Sequence, residues 1–217
     1  MKKLIIIGAG GLGKEIAWTV RKMNAAGTPL EVYGYCDDRA TIGASVLGYP
    51  VLGTIEQAAA ALAGSGFHYI CGVGRNKVRP ALIERAEKAG WTPASVIHPS
   101  ALLGDEIEIG AGTYIAAGAY IGPSARISPH ALVNVLTSIG HDVVLEEHTQ
   151  ICPGAKLSGG AVIGRGTFIG SNAVVAPGKV VGEWSTVSAT AFVATDLPAR
   201  TLVTSPVSQH LAKPGKE

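Results

Sequence analysis

From Ile97 onward every sixth residue is a branched aliphatic one: Ile97, Leu103, Ile109, Ile115, Ile121, Ile127, Val133, Ile139, Leu145, Ile151, Leu157, Ile163, Ile169, Val175, Val181, Val187 and Val193. An α-helix cannot use this period, because 3.6 residues per turn would carry the apolar side chain around the surface. Short strands joined by tight bends can hold it on one inner surface. Four residues after most of these stands a small or β-branched residue, as at Ala119, Ala125, Ala131, Thr137 and Thr149, so each hexad offers one large and one small inward side chain. Glycine often follows the aliphatic residue directly, as at Gly104, Gly110, Gly122, Gly140 and Gly164, and there it is expected to relax the backbone at each bend. Three hexads close a triangular coil of 18 residues. The array makes nearly six coils, a prism about 27 Å tall at about 4.8 Å per stacked strand.

Composition narrows the function classes. Eighteen Lys and Arg against sixteen Asp and Glu leave a net charge of +2, which gives no reason to expect a nucleic acid as partner. Hydrophobic residues reach 47%, yet no run approaches the ~20 apolar residues of a membrane-spanning helix. The N-terminal apolar run is too short for a signal-peptide core. Cys36, Cys71 and Cys152 are odd in number and lack metal-ligand spacing, which points to a reducing, cytoplasmic setting with no disulfide framework and no zinc.

The chain before the array reads differently. Leu4 to Ile7 forms a strand that runs into Gly8-Ala9-Gly10-Gly11-Leu12-Gly13 and then a helix from Lys14 to Met23. Such a turn brings a phosphate against amide N–H groups at a helix N-terminus. A second strand ends at Asp37-Asp38, where an acid could bind a ribose or base. Thr54 and Gln57 form a capping box for an Ala-rich helix, Phe67 to Val73 is a third strand, and Asn76 to Lys88 is a helix. The expected organisation is a small Rossmann-like α/β domain over 1–96, a parallel β-helix over 97–197 and a C-terminal tail over 198–217. With only half of a full dinucleotide fold, the N-terminal domain suits one nucleotide better than NAD.

Histidines are the candidate bases, since imidazole exchanges protons near neutral pH. His141 follows the inward Ile139 by two places, so it falls at a bend outside the prism, with Asp142 beside it and Gly159 one full coil above. His130 and His148 also lie 18 residues apart and are expected to stack as a surface ladder, with metal binding a weaker alternative. His98, at the domain junction, is read as structural.

The short domain beginning Gly8-Ala9-Gly10-Gly11 and continuing to Asp37-Asp38 and Gly48-Tyr49-Pro50-Val51-Leu52-Gly53, fused to a hexapeptide array, resembles the sugar acetyltransferases of the bacillosamine, perosamine and sialic acid types. The resemblance spans essentially the whole chain. It implies a left-handed parallel β-helix, acetyl-CoA as acyl donor, no metal, and a homotrimer with active sites between neighbouring prisms. It implies His141 as general base, Asp142 as its orienting carboxylate, and acetyl-CoA contacts at Gln150, Gly159, Ser171 and Ala189. CoA phosphates would meet Lys179 or the tail residues Lys213 and Lys216. A nucleotide-linked amino sugar, carried on UDP, GDP or TDP, would be held by Gly10, Gly11, Leu12, Asp37, Asp38 and Asn76. Gln150 stands where family members often carry a second His, Leu12 stands in a turn that often reads Gly-His-Gly, and Thr204-Ser205-Pro206-Val207 replaces a usual Gly-Val-Pro-Ala. Alternatives are O-acetylation of a free sugar such as sialic acid, a non-catalytic β-solenoid binding protein and, third, a nicotinamide oxidoreductase.

Overall fold

A computed structural model of the chain describes residues 1–62 and 66–205. Residues 206–217 lie outside the described residues, and with them the expected contacts of Lys213 and Lys216. The apolar run at the N-terminus becomes β1 (Lys2–Ile7), buried from Leu4 onward. It is flanked in parallel by β2 (Leu30–Cys36) on one side and the later strand from His68 to Cys71 on the other.

Between β1 and β2 lies α1 (Gly11–Ala25), whose apolar stripe of Ile16, Ala17, Val20 and Met23 is buried. Beyond β2 a small hairpin pairs β3 (Ser45–Val46) with β4 (Tyr49–Pro50). Its two turn residues, Leu47 and Gly48, both have positive φ, the twist that a two-residue hairpin needs. Then come α2 (Ile55–Ala61), β5 (His68–Cys71), α3 (Arg79–Lys88) and β6 (Thr92–Pro93). The Thr54–Gln57 capping box is present in full at the start of α2. The parallel sheet has the order β2-β1-β5-β6.

The hexads fold into three parallel sheets around one core. Face one runs from Val96–Ile97 to Leu202–Val203 in seven strands, face two from Leu102–Leu103 to Phe192–Val193 in six, and face three from Glu108–Ile109 to Val180–Val181 in five. Partners in register are 18 residues apart, as in Gln150 with Phe168. The final pairing, Thr186 with Leu202, is shorter by two, so the last rung comes from within the segment expected as tail. From Ile115 to Val193 the large and small inward residues form one buried cluster.

The glycines that follow the aliphatic residues have a different cause from the one expected. None of Gly104, Gly110, Gly122, Gly140 or Gly164 has a positive φ. A Cβ on Gly140 would come 2.7 Å from the backbone nitrogen of Gly159 in the next coil, so glycine permits close stacking of coils. The left-handed turn lies two residues later and is often taken by a non-glycine residue, including Asp142 at φ 58 and Leu136 at φ 56.

Face one carries the N-terminal domain. Ile16 and Val20 of α1 share a core with Val96, Tyr114 and Leu132, and the hydroxyls of Thr19 and Tyr114 lie 3.2 Å apart. Trp18 stacks on His98 at 5.0 Å. His130 and His148 stack as their spacing requires, with ring centroids 5.5 Å apart, but both are buried. The surface ladder is thereby corrected: the domain sits over their corner, with the Tyr69 ring stacked at 6.2 Å from His130.

Candidate functional site

Parallel strands leave a crevice beyond their carboxyl ends, where connections diverge to opposite faces. Here it is a cavity of about 460 Å³ whose walls include Gly10, Gly11, Leu12, Asp37, Asp38 and Gly74. Gly10 caps α1 without a side-chain hydrogen bond, and the first turn contains no acid, so the amides at that helix end are available to an anion. Gly13 has to be glycine, because a Cβ would overlap the Gly8 carbonyl oxygen. Arg39 and Arg75 also line the cavity and supply positive charge that motif reading passed over. The signal was present in Arg75, two residues beyond the valine that ends the expected third strand, since strand ends are where ligands bind.

The two aspartates have separate duties. Asp37 accepts from the backbone N–H groups of Ala9, Arg39 and Ala40 at 2.9, 2.8 and 3.1 Å. Burial works to raise its carboxyl, but these three donors prevail and hold it below its ordinary value. Asp37 therefore ties the end of β2 to the glycine turn. Asp38 meets Arg85 in a bidentate pair at 2.9 and 3.1 Å, and Arg85 also holds Glu56 at 2.7 Å. Asn76 is not in the cavity wall. Its side-chain amide donates to the Gly166 carbonyl at 2.5 Å and pins the loop before α3 to the prism.

His141 occupies the corner between faces two and three. Its Nδ1 lies 2.7 Å from Asp142 Oδ2, so the carboxylate accepts from Nδ1–H and Nε2 is left as the basic nitrogen. The left-handed turn at Asp142 brings this side chain back toward the ring of its own neighbour. The ring lies across Gly159: a Cβ there would overlap Nε2 and Cε1. Among the described residues no carbonyl accepts the Gly159 N–H, which is free to serve a ligand. Both members of the pair are open to solvent, with side chains 69% and 63% exposed.

The remaining candidates fall elsewhere on the prism. Gln150 is buried on face one, where its Oε1 accepts from Arg79 at 3.4 Å. Ser171 and Ala189 occupy the corner between faces one and two, in successive coils. One corner thus holds His141 and Gly159, and a different corner holds Ser171 and Ala189. Among the described residues no group of three or more His, Cys, Asp or Glu is arranged to hold a metal ion. No helix there is long and apolar enough to cross a membrane.

The chain is similar to known proteins in both halves. Residues 3–86 match the PglD N-terminal domain family. Over the whole fold it is similar to the acetyltransferase domain of PglB from Neisseria gonorrhoeae, with 31% identity over 93% of this chain and 96% of that one and a TM-score of 0.83. The same domain in complex with acetyl coenzyme A gives 32% identity, coverage of 93% and 95%, and a TM-score of 0.81. PerB from Caulobacter crescentus, solved with CoA and GDP-perosamine, is 29% identical over 93% of each chain with a TM-score of 0.83. No curated protein sequence matches. The prism is the left-handed β-helix of the acyltransferases.

Proposed function

This chain belongs to the nucleotide-sugar N-acetyltransferase family and is an acetyl-CoA-dependent sugar acetyltransferase, and from that premise we propose that it acetylates the amino group of a nucleotide-linked amino sugar, with His141 as general base. The observation that carries this reading is the His141 ring, held by Asp142 through Nδ1 and laid across Gly159. Nε2 takes the proton as the amine attacks the thioester carbonyl. Asp142 keeps the ring in that tautomer and offsets the imidazolium charge that forms. The Gly159 N–H donates to the developing oxyanion, after which the carbon–sulfur bond breaks and CoA leaves as a thiolate that takes up a proton. The acceptor's diphosphate lies against the α1 N-terminus, with Arg39 and Arg75 offsetting its charge.

A second copy of the chain completes the site. Exposed apolar residues stand along face two and its edge, with Leu102 67% and Leu136 71% exposed toward its first coils and Phe192 65% exposed on its last strand, a surface that suits burial against another prism. A CoA lying between two prisms can touch Gly159 of one and the Ser171–Ala189 corner of the other. The expected assembly is a homotrimer of three times 22.2 kDa, checked by light scattering. Three buried free thiols, Cys36, Cys71 and Cys152, support a reducing compartment, the cytoplasm.

Steady-state assay of His141→Ala tests the base. A fall in kcat/KM of about 10²–10⁴ is expected, and an unchanged value removes His141 from the mechanism. The second reading, O-acetylation of a free sugar, draws on Leu12, an apolar wall where an acceptor-binding side chain could stand. Competition between amino-sugar nucleotides and free sialic acid as acceptors separates the two.

A further inference from the structure

Arg79 opens α3 where that helix meets face one, and it is 0% exposed. Among the described residues no carboxylate pairs with it. Nη2 donates to the carbonyls of His130 and Thr149 at 2.8 and 3.3 Å, Nη1 donates to Gln150 Oε1 at 3.4 Å, and Nε has no partner among the described residues. A methionine would fill the same space without the cost of removing a guanidinium from water. A charge kept at that cost points to something it holds in place.

Gln150 is the side chain on which the charge acts. Its amide could lie either way round, but guanidinium groups donate and never accept, so the Gln150 oxygen has to face Arg79. The NH₂ end is therefore turned away from Arg79, toward Gly74. Nε2 lies 3.7 Å from where a Gly74 Cβ would stand, and among the described residues its one hydrogen bond is a weak one to Cys152 Sγ at 3.9 Å. Gly74 is itself part of the cavity wall.

We propose that Arg79 is a positioning residue: it fixes the Gln150 amide with its NH₂ end toward Gly74 and the cavity side, so that the N–H not directed at Cys152 Sγ donates to an oxygen of the bound substrate. This rests on the acetyltransferase reading above and adds to it a residue that makes no contact with the cavity.

The test is Gln150→Glu, which keeps the shape, gives Arg79 a carboxylate partner and removes both N–H donors. Expected are a Tm at or above that of the wild type and a kcat/KM for the amino-sugar nucleotide lowered 10- to 100-fold. Wild-type kcat/KM in that variant overturns the inference. In a cycle of Arg79→Met, Gln150→Met and the double variant, loss of Arg79 is expected to add little once Gln150 is gone, and full additivity overturns the proposal. If Arg79→Met does not fold, Gln150→Glu decides alone. A wild type inactive toward every amino-sugar nucleotide refutes the function instead. The inference is then judged on the Gln150 side-chain NH₂ signals in NMR, which should move in Arg79→Lys and which overturn it if they do not.

Discussion

The cavity at the strand ends and the corner at His141 are built on opposite principles. Around the cavity the groups are bound to one another: three backbone amides hold Asp37, and Arg85 holds Asp38 and Glu56. At the corner the side chains of the pair are open to water, bonded to each other and laid over the glycine of the next coil. A nucleotide needs many contacts in fixed positions, which a strand-end crevice supplies. A base needs one accessible nitrogen beside a backbone donor, which a prism corner supplies. In one chain the two lie on different elements, so substrate binding and proton transfer should respond separately to mutation.

The largest separation is expected from Gly159→Ala. The added methyl displaces the His141 ring, while the backbone there is not left-handed, so kcat should fall about 10²–10³ with Tm little changed. An unaltered kcat would show that the ring does not need that seat. Asp142→Asn comes next, because Asn tolerates the left-handed turn yet no longer carries the charge that offsets the imidazolium. A loss of about 10- to 100-fold in kcat with unchanged KM values is expected from initial rates. Arg75→Ala should act on the other region alone and raise KM for the amino-sugar nucleotide about tenfold, while KM for acetyl-CoA stays put. A matching rise in both would mean that the cavity is not a separate acceptor site.

The smallest effect concerns the joint between the two regions. Burial, with His130, Arg79 and Arg165 nearby, lowers the folded His148 to about 4, and burial lowers His130 as well, with Glu87 and Glu147 opposing. In the unfolded chain a histidine takes its proton near pH 6.5, so below that pH the unfolded state binds more protons. Stability is therefore fully present above about 6.5 and drains as pH falls toward 4. Urea midpoints across that range should decline in the wild type and decline less in His148→Gln. Parallel curves would remove His148 as a cause.

Much of this is legible in the order of residues, because an 18-residue coil turns sequence separation into vertical contact. That rule places Gly159 over His141 and His148 beside His130. It does not tell which corner the N-terminal domain covers, so spacing alone leaves the His130 and His148 pair on the surface. Arg79 is opaque for the same reason: an arginine at a helix start ordinarily faces water, and only docking on face one buries it. Asn76 escapes the motif because a loop amide can serve a ligand or the neighbouring prism equally well.

By itself, then, the sequence determined the solenoid, its period and the neighbours along each corner, because a repeat is a local rule applied many times. Tertiary structure decided what the rule leaves open: that the glycines serve stacking and not bending, that Arg79 faces Gln150 and not water, and that the strand-end cavity and the His141 corner occupy separate places. Those outcomes depend on which surfaces meet, and the free energy of a meeting surface belongs to two distant segments at once.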